Sequence, residues 1–122
     1  MRALFWSLCG FGNEGRRRQL EEYMREENID IVAVQETMRL EFSLAQLEGL
    51  SRHLFGWHWL PSSGVVGHSR GILLGGGGKD ATLEVGSMSR GEFFVSMELW
   101  ESAINFKWEV IVVYGPAGHS QF

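Results

Sequence analysis

With 122 residues, 44% of them apolar and 12% aromatic, the chain can build one domain with a sizeable core, which excludes a disordered polymer. Its formal charge of −4 and pI near 5.5 exclude overall basic character as a route to nucleic acid, although metal-dependent nucleases can be acidic overall. Cys9 is the single cysteine, so no internal disulfide can form, and the expected setting is a reducing, intracellular one, nuclear or cytoplasmic, rather than secretion. No apolar run approaches the roughly 20 residues that span a bilayer, and the opening MRALFWSLCGFGNEGRRR lacks the long apolar region of a signal peptide. No membrane partner is therefore expected.

In chain order, Ala3 to Leu8 reads as a short buried strand, and Gly10-Phe11-Gly12-Asn13 as the turn that leads to a helix. From Arg16 to Glu27 the apolar Leu20, Tyr23 and Met24 fall three and four apart, which predicts an amphipathic helix closed by Asn28. Ile29 to Val34 is β-branched and apolar almost throughout, as in a central strand covered on both faces. Strand, helix and strand in this order imply parallel pairing through a crossover. Ser43 can cap a second helix carrying Leu44, Leu47, Leu50 and Leu54.

After Phe55 no helical period persists. Trp57 to Leu60, Gly71 to Leu74, Ala81 to Val85, Phe93 to Leu99 and Phe106 to Tyr114 are candidate strands of an antiparallel meander, with Gly75 to Gly78 as a loop tip. Phe93, Val95, Met97 and Leu99 alternate with Phe94, Ser96 and Glu98, which predicts one buried face. The simplest architecture is one mixed sheet with two helices on its outer face.

Polar residues follow three of these strands, where α/β sheets build their sites: Ser7-Leu8-Cys9-Gly10, Gln35-Glu36 and Tyr114-Gly115-Pro116. Glu36 can be a ligand for Mg²⁺, a hard cation that takes one or two carboxylates plus water and phosphate oxygens. It can equally be a loop carboxylate or an N-terminal helix charge. His53, His58, His68 and His119 show no zinc-ligand spacing and read as loop or surface residues, although His68 and His119, in Gly/Ser-rich loops, could approach a phosphate. GGGG at 75–78 matches neither a P-loop nor a dinucleotide fingerprint, and Ser63 and Ser69 lack the GxSxG elbow. Arg16, Arg17 and Arg18 could touch nucleic-acid phosphates, but the favoured reading is a solvated helix face balanced by Glu21, Glu22, Glu26 and Glu27.

Taken in order, LFWSLCGFG, a helix, IDIVAVQET, HWLPSSG, SRGILLGG and WEVIVVYGPAG resemble the N-terminal half of the endonuclease/exonuclease/phosphatase superfamily, which includes exonuclease III and deoxyribonuclease I. The likeness runs from Ala3 to Gly118 and is nearest to the endonuclease domains of plant-type non-LTR retrotransposons. It implies an α/β chain forming the N-terminal half of a four-layer sandwich, so that residues 1–122 make a partial domain truncated on its C-terminal side.

The resemblance also implies roles. Glu36 stands where the family binds its catalytic Mg²⁺ or Mn²⁺, Gln35 is its supporting neighbour, and Tyr114 matches the active-site tyrosine that contacts the scissile phosphate. In such enzymes the metal offsets charge on a DNA or RNA phosphodiester while an aspartate and a histidine activate water.

Departures accompany these matches. Ser7 replaces the asparagine beside the metal, Val112 replaces the first asparagine of N-x-Y-x-P, and no Asp-x-Asn follows Tyr114. The expectation is an ancestrally Mg²⁺-dependent phosphodiesterase that does not turn over, or alternatively a non-catalytic α/β binding protein. Half a sandwich would also leave the Phe93, Val95, Met97 and Leu99 face uncovered and inviting self-association.

Overall fold

The computed structural model describes residues 2–51, 54, 56–62, 71–77 and 83–113. It opens with the expected βαβ unit: β1 (Ala3–Ser7), α1 (Glu14–Glu26) and β2 (Ile31–Gln35), with β1 and β2 parallel and Ser7 opposite Gln35. The first helix starts two residues before the predicted Arg16 because the Asn13 side chain accepts from Arg16 N and satisfies a first-turn donor. Asn28, in the left-handed conformation at φ 49°, closes it as expected. Then come α2 (Leu44–Leu50), β3 (Gly56–Leu60), β4 (Ile72–Gly76), β5 (Leu83–Arg90), β6 (Phe94–Glu101) and β7 (Phe106–Val113). Among the described residues, no helix is long and apolar enough to cross a membrane.

The expectation of one mixed sheet is corrected. The strands form two sheets, a four-stranded one in the order β1-β2-β4-β3 and an antiparallel one in the order β5-β6-β7. Alternation along β2 explains why two layers can grip the first sheet. Val32 and Val34 join Leu20, Met24, Leu47 and Leu50 in a core on the helix side, while Ile31 and Ala33 join Val95, Met97 and Leu99 in a second core between the sheets. The molecule is therefore layered as helices, mixed sheet, antiparallel sheet.

This arrangement also corrects the uncovered face. Val95, Met97 and Leu99 are fully buried, because the chain's own first sheet lies over them. Phe93 falls outside the alternation, in the bend before β6. Of the apolar residues left exposed, Ile111 and Val113 lie on the far face of the second sheet and Phe5 on the edge strand β1.

The glycine run differs from its sequence reading as well. Gly75 and Gly76 belong to β4 and are buried, since a Cβ on Gly75 would sit 2.5 Å from the Trp57 ring and one on Gly76 2.8 Å from Met97 Sδ. Missing side chains here make room for large neighbours. Gly78 lies outside the described residues. The strand predicted from Ala81 to Val85 runs on to Arg90, with a register shift between Val85 and Met88. Such a bulge breaks the period-two pattern that would have revealed its second half.

Candidate functional site

The parallel pairing of β1 and β2 continues past the strands themselves. Leu8 N donates to Gln35 O at 2.9 Å, Gly10 N to Glu36 O at 2.7 Å and Phe11 N to Thr37 O at 2.8 Å. The two loops that leave the sheet are thus zipped together. Within them Cys9, Glu36 and Met38 all adopt left-handed backbone, at φ 56°, 56° and 57°. Each costs a non-glycine residue of the order of 1 kcal/mol, and strain of this kind concentrates where a side chain must be aimed.

For Glu36 the aim is visible. In continued extended backbone it would follow Val34 toward the helix side, since alternate residues share a face. The left-handed turn instead brings its carboxylate to Ser7, which is opposite Gln35 on the face turned to the second sheet. Ser7 Oγ donates to Glu36 Oε2 at 2.9 Å, and Cys9 Sγ is 3.9 Å from the same hydroxyl. Serine and glutamate, predicted as neighbours by resemblance, are in direct contact.

Arg16 closes the corner from the helix side. Its Nε and Nη2 both donate to the Ser7 carbonyl oxygen, and its guanidinium lies 4.4 Å from the centre of the Trp6 ring. This corrects the reading of Arg16 to Arg18 as a uniformly solvated face. Arg18 does pair with Glu14 at 2.8 Å, but Arg16 holds the end of β1 and Arg17 donates to the Phe11 carbonyl at 2.8 Å. The missed signal was position: these residues begin the helix straight after the β1 turn, within reach of the strand end.

Thr37 and Gly71 support the corner from below. Thr37 is fully buried, and its N donates to Gly71 O at 3.2 Å. Gln35 sits between Ser7 of β1 and Ile72 of β4, so it shares their register at the sheet end.

Tyr114 lies outside the described residues. The direction of β7, which is described as far as Val113, is nevertheless set. Val85 packs at Gly56 and Arg90 Nη1 donates to Trp59 O at 2.9 Å, so β5 runs alongside β3. With β6 and β7 each antiparallel to the strand before, β7 ends at Val113 on the same end of the molecule as Ser7 and Gln35.

Of the four histidines only His58 lies in a described segment, and it is not a loop or surface residue. It sits in β3 opposite Leu74, on the face toward the second sheet, and its Nε2 is shut off from solvent with no hydrogen-bond partner. Burial and the nearby Arg90 guanidinium lower its pKa, against the opposing effect of a hydrogen bond that the ring donates to the Ser89 backbone. His53, His68, His119, Ser63 and Ser69 fall outside the described residues.

Among the described residues, no group of three or more His, Cys, Asp or Glu side chains is gathered as for a closed metal site. One carboxylate beside a hydroxyl still suits Mg²⁺, which keeps several waters and binds phosphate oxygens. No protein-family model matches this sequence, and no curated protein matches it either.

Proposed function

We propose that the end of the first sheet is the cation-binding corner of an endonuclease/exonuclease/phosphatase-type fold, descended from a phosphodiesterase acting on nucleic acid. The observation that carries the reading is the Ser7–Glu36 hydrogen bond, made across the ends of two parallel strands by a glutamate held at φ 56°. Glu36 would hold Mg²⁺ or Mn²⁺, Ser7 would orient its carboxylate, Gln35 would support it, and Tyr114 would meet the phosphate. When bound, the cation would offset negative charge on a phosphodiester of DNA or RNA. The four-layer sandwich belongs to the same proposal, with the three layers described above as its nearer part.

The proposal is one of binding rather than turnover. Asp30, the one described aspartate, stands at the opposite end of β2, where its Oδ2 accepts from Arg2 N at 2.9 Å. His58, in β3, is turned toward Ser89 and Arg90 of β5. Neither can take a proton from water at Glu36. Serine in place of asparagine also removes an amide carbonyl that could share the ligand shell.

Two measurements test this. Mn²⁺ titration followed by paramagnetic broadening of backbone NMR signals should broaden residues 7–9 and 35–37 first, and Glu36→Gln should abolish the effect. Absence of localised broadening sinks the cation corner. Incubation of supercoiled plasmid with protein and Mg²⁺ should give no nicking above a Glu36→Ala control; Glu36-dependent nicking would replace the binding reading with an active nuclease.

A further inference from the structure

On the helix side, away from the Ser7–Glu36 contact, a solvent-open cleft of about 350 Å³ lies between α1 and α2. Phe11 forms part of its wall, and Arg17 and Arg39 flank it from different segments. Both guanidiniums lie over the same Phe11 ring, at 5.3 Å and 5.7 Å from its centre. Arg17 is oriented by the Phe11 carbonyl, and its pairing with Glu21 is long, at 3.7 Å. The Arg39 side chain has no ion-pair partner among the described residues.

Gln46 adds a third donor. Its Oε1 is committed to Ser43 N at 2.9 Å, which leaves the amide NH₂ for the cleft. Among the described residues that line the cleft, Glu21, one helical turn from Arg17, is the one carboxylate. Two like charges over one ring repel each other, and a ring contact at an exposed position returns only about 0.5–1 kcal/mol each. An anion seated between them removes that repulsion and satisfies both donor forks. This excess of positive charge is local, since the chain as a whole carries −4. On the far wall Gly49 is open: a Cβ there would meet no atom within 4 Å.

We propose that this cleft is an oxyanion site for a small phosphate monoester. Its donors come from three separate segments, α1, α2 and the stretch between β2 and α2. A tetrahedral phosphate presents oxygens to all of them, whereas a planar carboxylate engages one fork. The volume is that of a small-ligand cleft. Neither Ser7 nor Glu36 is among its lining residues.

The test is a titration of the intact chain at low ionic strength with EDTA present, monitored by the arginine Nε–H signals. The ligands are inorganic phosphate, adenosine monophosphate, acetate and a short single-stranded oligonucleotide. Phosphate and the monophosphate should bind saturably and shift Arg17 and Arg39, with acetate weaker. Arg39→Gln should lose at least about tenfold in affinity at an unchanged thermal midpoint. Gly49→Leu, which fills the cleft from its open wall, should lose a similar factor. Unchanged binding in both variants, acetate binding as tightly as phosphate, or binding of the oligonucleotide alone would overturn the proposal.

Discussion

Gly71 stands at φ 101°, and a Cβ placed on it would come 2.1 Å from Thr37 Oγ1. Thr37 follows Glu36 directly and is fully buried, so it cannot swing aside into solvent. Gly71→Ala therefore combines an unfavourable backbone region with a steric clash, and should destabilise the fold by about 2 kcal/mol or more in urea unfolding. The damage should also reach Glu36, because the Thr37–Gly71 hydrogen bond anchors the loop that aims its carboxylate. The sequence identified Glu36 as a candidate through its place after an apolar strand. It could not disclose the left-handed turn, since nothing in the letters IVAVQET distinguishes a glutamate that continues the strand from one that reverses its face.

Helix α2 shows the opposite balance, with local chemistry legible in advance. Ser43 caps it as predicted, and the box is complete: Ser43 Oγ accepts from Gln46 N at 3.2 Å while Gln46 Oε1 accepts from Ser43 N at 2.9 Å. For a helix of seven residues this cap is a large share of its local support. Ser43→Ala should cost about 1 kcal/mol in chemical denaturation, with little change in the second sheet's amide exchange. The predicted leucine stripe holds only in part. Leu47 and Leu50 are buried, but Leu44, at the first helical position, is 69% exposed. β4 marks the limit of such local reading. Its glycines look like a loop tip, and only the rings and thioether packed over them make a buried strand of Gly75 and Gly76.

At the scale of the molecule, the seam between the two sheets carries a pH dependence through His58. It packs toward β5, where Arg90 is the nearby cation and Ser89 Oγ bonds Ser96 Oγ at 2.7 Å across to β6. In the unfolded chain His58 titrates near its ordinary value of about 6.5, and in the fold its pKa is lower. The unfolded state therefore binds more protons between those two values, so stability rises with pH across that window. It should be fully present above about pH 6.5 and fall as pH drops through the folded value. Denaturant midpoints of wild type and His58→Leu across this range check it: the wild type should lose more stability on acidification than the variant. Equal slopes would show that His58 does not sense the seam.

The sequence by itself determined the βαβ start, the two helices, the positions of most strands and the candidacy of Ser7, Gln35 and Glu36. These follow from apolar period, caps and strand ends, which act over a few residues. The tertiary structure alone decided that the later strands divide between two sheets, and that Val95, Met97 and Leu99 are covered by the chain's own first sheet. It also decided that Arg16 holds the end of β1 and that Arg17 bonds the turn after it. The reason is one of range: period two says that a strand has two faces, but which strand pairs with it, and what lies over each face, is settled by burial between segments dozens of residues apart.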